Sequence, residues 1–183
     1  MKTGKIGPRE WRVPSGDSRE RKVCPECDYI EYVNPRIVVG VVVCSSDGRY
    51  LLGKRTISPR QGYWTIPAGF LELGESPIEG AQRECQEEML AQAEIDQLIA
   101  VYHVIKMGQI HLMYRGRLKD DAFGVGEETS EVKLVHYNEI QFDELAFPTV
   151  SWAIKDHHRT RDLAVVQPST NPLGEVETQQ DFS

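Results

Sequence analysis

Several features that would fix a function class are missing from this chain of 183 residues. No apolar run reaches the length needed to span a bilayer, so no membrane span is expected. The start, MKTGKIGPREWR, carries charge but no apolar core segment, and no secretory signal is expected from it. Basic excess is lacking too: 21 Lys and Arg stand against 28 Asp and Glu, a net charge of −7. That balance removes the whole-protein electrostatic footprint of a nucleic-acid binder. Cysteine is scarce, with Cys24, Cys27, Cys44 and Cys85 the whole set, and only the first two sit at chelating spacing. The pattern suits a reducing cytoplasm rather than a disulfide framework.

What is present fits one globular domain. Apolar residues make up 40% and charged residues 27%, ordinary values for a chain able to bury one core. Residues 1–22 are polar and carry Pro8, Pro14 and Gly16, and read as irregular. IVVGVVV, Ile37 to Val43, is a β-branched run expected to form a strand buried on both faces. After the turn Ser46-Asp47-Gly48, Tyr50 to Arg55 reads as its hairpin partner. Trp64 to Phe70 reads as a short strand ending in a tight turn. Further strands are expected at about 94–106, 109–118 and 131–137, and a last helix from Pro148 through Ile154. From residue 166 on, the chain is polar and aperiodic, which predicts a disordered tail over 166–183.

The clearest helix starts after Gly74-Glu75. Ser76 is a good N-cap, Pro77 suits the first helical position, and Glu79 completes a capping box. At 100° per residue Ile78, Ala81, Cys85 and Met89 form the core stripe, while Glu84, Glu87 and Glu88 gather on a neighbouring face. Like charges at i, i+3 and i+4 destabilise a bare helix by a few tenths of a kcal/mol per pair. Arg83 can offset them through Glu87 or Glu75. A hard divalent cation sharing several carboxylate oxygens would do so far more effectively. On an arbitrary helix a solvated acidic face would be the default reading.

The surrounding residues overturn that default. Gly69, five residues, Glu75, seven residues, then Arg83-Glu84-Cys85-Gln86-Glu87-Glu88 resembles the Nudix box, with every charged position filled. The family usually has Gly where this chain has Leu90, which suggests that the helix continues or exits by another route. The resemblance implies an α/β/α sandwich with a mixed sheet between helices. It implies Mg²⁺ or Mn²⁺ held by Glu84, Glu88, Glu87 and the backbone carbonyl of Ala68, and a structural salt bridge between Glu75 and Arg83. A later glutamate that joins the metal site or acts as base is expected at Glu131, with Glu128 the second candidate. The reaction implied is hydrolysis of a nucleoside diphosphate linked to another group.

Cys24-Pro-Glu-Cys27, Asn34-Pro35, the Trp64–Phe70 run, Ile140-Gln141-Phe142-Asp143 and Leu145-Ala146-Phe147 extend the likeness to the ADP-ribose/FAD pyrophosphatase branch, related to zinc-ribbon NADH pyrophosphatases. Where the NADH enzymes bear SQPWPFPxS, this chain has Tyr102 to Gln109, YHVIKMGQ, which favours ADP-ribose or FAD over NADH. The expected organisation is a degenerate zinc-ribbon-like segment over 1–35, a Nudix domain over 36–165 and the tail. Structural zinc wants four ligands. Cys24 and Cys27 supply half of them, so a ribbon kept for packing is expected and a bound zinc is the alternative.

Trp64, Phe70 and Tyr63 are candidates for stacking on a base or flavin, and Arg55 for meeting phosphates. A small nucleotide substrate and a homodimer are the partners implied; membrane and nucleic acid are not. Three competing readings remain: hydrolysis of an RNA's nucleotide cap, which the charge opposes; a non-catalytic nucleotide sensor, which the intact carboxylates oppose; and a zinc module for nucleic acid, which one knuckle opposes.

Overall fold

The computed structural model describes residues 7–120 and 122–173. It divides into two units, one up to Pro35 and one from Arg36. In the first, β1 (Glu10–Arg12), β2 (Arg21–Val23) and β3 (Ile30–Glu31) form a small antiparallel sheet. Residues 7–22 are therefore not wholly irregular: Val23, buried at its centre, gives β1 and β2 something to pack on. The first six residues lie outside the described range.

The second unit is built on a mixed sheet. β4 (Arg36–Cys44) runs parallel to β9 (Gln109–Leu118), which pairs antiparallel with β8 (Ala93–Val104). β5 (Tyr50–Arg55) pairs with β10 (Thr129–Val135), and the sheet order is β10-β5-β4-β9-β8. β4 and β5 are not the full hairpin expected, since they meet only at Cys44 and Tyr50. They then diverge. β6 (Trp64–Thr65) adds to β5, and β7 (Ala68–Phe70) adds to β4 through Val38, Val39 and Gly40. This wedge carries Ala68 and Gly69 into the middle of the sheet.

Alternation along β4 explains the layers. Val39, Val41 and Val43 pack with Leu51, Ala81, Cys85 and Met89 on one face, beneath α1 (Pro77–Met89). Val42 packs with Tyr102, Trp152 and Ile154 on the other, beneath α2 (Pro148–Thr160). The result is the α/β/α sandwich. No helix among the described residues is long and apolar enough to cross a membrane.

α1 starts as its residues dictate. The Ser76 side chain accepts from the Glu79 N–H and the Glu79 side chain from the Ser76 N–H. Ile78 departs from the expected stripe: it is 42% exposed in the first turn, while Ala81, Cys85 and Met89 are fully buried. The helix ends at Met89, and Leu90 adopts φ 45°, ψ 33°, the left-handed conformation usually left to glycine. A non-glycine residue there costs about 1–2 kcal/mol. Leu90→Gly is expected to raise stability by about 1 kcal/mol, a thermal midpoint higher by about 2–4 °C. A drop in midpoint would mean that the Leu90 side chain, which lies against Gly124, contributes more than the backbone strain removes.

The tail differs from expectation. Residues 166–173 run beside β8: Ser169 accepts from the Val101 N–H and donates to the Ile99 carbonyl at 2.9 Å each, and the Asn171 amide brackets both polar groups of the His103 backbone. Val166 is buried in the core under α2. An open strand edge takes any chain that offers backbone groups, polar or not, which is why composition failed here. Residues 174–183 lie outside the described range.

Candidate active site

The wedge of β6 and β7 sets the geometry. Glu84 and Glu88, one turn apart on α1, are buried and face it, while the side chain of Glu87 stays 59% exposed. Glycine at position 69 is obligatory for this approach, because a Cβ would overlap both carboxylate oxygens of Glu84. The Ala68 N–H donates to Oε2 of Glu88 at 3.1 Å.

Arg83 holds the acidic group together. Its Nη1 donates to Glu84 at 2.8 Å and to Glu87 at 2.9 Å, and Nε and Nη2 grip Glu75 at 3.0 and 2.9 Å. Nη2 also donates to the Phe70 carbonyl at 3.0 Å, fixing the loop to the helix. Arg83, with help from the Glu72 N–H, holds the Glu75 carboxyl down at about 2. The guanidinium itself is raised by Glu75 first, then by Glu84 and Glu87.

Glu88 has no such partner. Burial pushes its carboxyl up to about 8, against the Ala68 N–H and Arg55 that lower it, with Glu84 and Glu128 adding to the rise. Glu84 is raised as well, by burial first, opposed by Arg83 and reinforced by Glu87 and Glu128. Two buried carboxylates therefore share a cleft that is short of positive charge. Cys85, on the core side, is an inert thiol pushed up to about 12 by burial.

Of the two later glutamates, the structure brings Glu128 to the box and not Glu131. The charge of Glu128 acts on both Glu84 and Glu88. Val132 and Leu134 pack on the α1 face, whereas Lys133 covers Trp64 on the α2 face. Period-2 alternation puts Glu131 on Lys133's side of the sheet, away from the box.

Other expected residues divide. Trp64 is 7% exposed in the core, with the Lys133 amine 3.6 Å from its ring centroid, so it presents no free face to a base. Tyr63 and Phe70 are exposed, each beneath a guanidinium: Arg60 at 5.1 Å and Arg36 at 4.7 Å. Arg55 donates from Nε to the Pro59 carbonyl and lies over Phe147.

In the first unit Cys24 is buried and Cys27 exposed. Backbone N–H groups of Glu26 and Cys27 hold the Cys24 thiol below its ordinary range. Among the described residues no group of three or more His, Cys, Asp or Glu side chains is arrayed to hold a metal ion. At the box Arg83 holds both Glu84 and Glu87.

A cleft of about 1190 Å³ lies elsewhere, at the Cys44–Tyr50 end of the sheet. Among its lining residues Arg115 pairs with Asp96 and Arg161 with Asp162, and His158 stacks on Tyr137. Size alone does not make it the reaction centre; the buried carboxylates of Glu84 and Glu88 are at the box.

Comparison with known proteins agrees with this geometry. The NUDIX domain matches residues 34–154, and the Nudix N-terminal zinc-ribbon family matches residues 7–33. A NUDIX hydrolase from Nitrosomonas europaea is 35% identical, with TM-score 0.81 over 88% of this chain and 93% of that one. An ADP-ribose pyrophosphatase of Methanocaldococcus jannaschii is 29% identical over 73% of this chain and 79% of its own length. A MutT-like protein of Streptomyces ambofaciens is 34% identical over 56% of this chain, and the match spans 64% of that relative, just under two thirds. A mixed sheet between two helices, with a glycine loop set against an acidic helix, places the chain in a class of phosphate-anhydride hydrolases. The chain belongs to the Nudix hydrolase family.

Proposed function

We propose that this chain cleaves the diphosphate bond of a nucleoside diphosphate linked to a second group, ADP-ribose or FAD, with Mg²⁺ or Mn²⁺ held at the box. The carrying observation is the buried pair Glu84 and Glu88 set against Gly69, where among the described residues Glu88 has no ion pair and only the Ala68 N–H and the charge of Arg55 oppose its burial. A carboxylate raised to about 8 by burial is a group that a positive ion would restore to its charged form. The donor set is all hard oxygen, which suits Mg²⁺ or Mn²⁺. Glu84 and Glu88 would be the principal ligands, with Glu87 and the Ala68 carbonyl beside them. When bound, the ion screens the diphosphate and supplies Lewis acidity.

The chain's own groups do the rest. Glu128 accepts the proton of the attacking water as the water oxygen bonds to phosphorus and the bridging P–O bond breaks. Arg83 keeps the acidic helix face in register with the loop through Glu75 and the Phe70 carbonyl. Phe70 and Tyr63, each already under a guanidinium, are surfaces suited to a base or flavin. The preference for ADP-ribose draws support from the archaeal relative named for that activity.

Hydrolysis of ADP-ribose, FAD, NADH and diadenosine polyphosphates, followed with Mg²⁺ or Mn²⁺, tests the reading. Turnover of ADP-ribose or FAD above the others is expected. Tight binding of ADP-ribose without turnover would sink it in favour of a sensor.

A further inference from the structure

The far end of α1 carries a connection that the box pattern does not contain. The left-handed Leu90 and the following Ala91 return their N–H groups to the carbonyls of Gln86 and Cys85. The carbonyls of Glu88 and Met89 therefore look beyond the helix for donors. They find them in the segment that carries Glu128. The Gly124 N–H donates to the Met89 carbonyl at 2.8 Å and the Gly126 N–H to the Glu88 carbonyl at 3.1 Å. The buried Thr129 hydroxyl donates to the same Glu88 carbonyl, and also accepts from the Gly126 N–H at 3.2 Å. Position 126 admits only glycine, since a Cβ there would run into the Glu87 carbonyl and stand 2.8 Å from that of Glu88. On its other side the segment is tied to the residue just after β5, where the Thr56 N–H donates to the Glu128 carbonyl at 2.9 Å.

We infer that Thr129 and Gly126 are positioning residues for the hydrolytic site: they lock the backbone of Glu88 to the loop bearing Glu128, so that ligand and base move as one piece. This rests on the function proposed above. Neither residue needs to touch substrate. Thr129 begins β10 opposite Arg55 and follows Glu128 directly, so its hydroxyl bond to the Glu88 carbonyl fixes the backbone next to Glu128. Groups that orient ligands and bases in this way change rate by about ten- to a hundredfold when removed.

The test compares Thr129→Val, which removes the hydroxyl at nearly constant shape, with Thr129→Ser, which keeps it and drops the methyl group that packs near Gly53. Three readouts are taken: kcat and KM on the substrate the wild type turns over, Mn²⁺ affinity by calorimetry, and hydrogen exchange of the Gly126 amide. The valine variant is expected to lose about ten- to a hundredfold in kcat with KM nearly unchanged, weaker Mn²⁺ binding and faster Gly126 exchange. The serine variant is expected to stay near wild type in all three. Thr129→Ala removes the same hydroxyl and serves if the valine variant does not fold. A hydroxyl-free variant with wild-type kcat and exchange, or a serine variant that falls as far as valine, overturns the inference. A wild type that hydrolyses nothing overturns the proposed function instead, and the Mn²⁺ and exchange readouts still judge the lock by itself.

Discussion

Glu88→Gln is expected to abolish nearly all turnover and, in the absence of metal, to make the protein more stable at neutral and alkaline pH. The activity loss follows from the charge: an amide oxygen in place of a carboxylate oxygen gives up most of the attraction for a divalent ion. Several kcal/mol of transition-state stabilisation correspond to about a thousandfold in rate. The stability gain follows from burial. The Glu88 carboxyl is raised from 4.5 to about 8, so the folded chain favours the protonated form. Its contribution is whole below pH 4.5 and is lost as pH climbs through about 8, a decline worth about 5 kcal/mol in total. Glutamine is neutral throughout and removes that decline. Metal-free wild type and variant should therefore unfold alike near pH 4 and diverge by a few kcal/mol by pH 8. Added Mg²⁺ should lift the wild type above pH 7 and leave the variant unmoved. Urea titrations at pH 4, 6 and 8, with and without Mg²⁺, measure this. A gap that closes with rising pH would show that Glu88 is not held against its charge.

The same residue shows how far a sequence reaches. Gly69, Glu75, Arg83, Glu84 and Glu88 were legible because each answers a local demand whose spacing is fixed by a loop and one helix: a close approach, an ion pair, an acidic helix face. The order of strands was legible in outline because β-branched runs and turn residues punctuate it. Three points were not. Whether Glu128 or Glu131 reaches the box depends on a register shift between Thr129 and Glu131, and a one-residue change in strand register exchanges the two faces. By sequence Trp64 is a candidate for stacking on a base or flavin, yet the pairing of β6 with β5 turns it into the core beneath Lys133. Leu90 in place of the usual glycine leaves two routes open by sequence, a longer helix or another exit. The helix stops there because the loop from Gly124 to Thr129 supplies donors for its last carbonyls, and those donors lie more than thirty residues along the chain. In each case the deciding partner is distant in sequence, so no local signal could name it.

Gly69→Ala carries the second large effect, and it separates geometry from charge. Gly69 does not have a positive φ, so alanine is free to adopt its backbone conformation and β7 should form as before. The obstacle is the Glu84 carboxylate, whose two oxygens and carbon all fall within van der Waals overlap of the new methyl group. Glu84 can yield by rotating away, and Arg83 Nη1, which already holds it at 2.8 Å, would draw it outward. A ligand carboxylate displaced by about 1 Å costs about a hundredfold in rate, more where it also loses the ion. The expected result is turnover lower by about two orders of magnitude and a raised Mg²⁺ requirement, with a thermal midpoint within a few degrees of wild type. Glu84→Gln should then add little to Gly69→Ala, because both remove the same oxygen from the same place. If the two losses multiply instead, Glu84 is not the side chain that Gly69 makes room for, and the arrangement of the ligands proposed here would have to be redrawn.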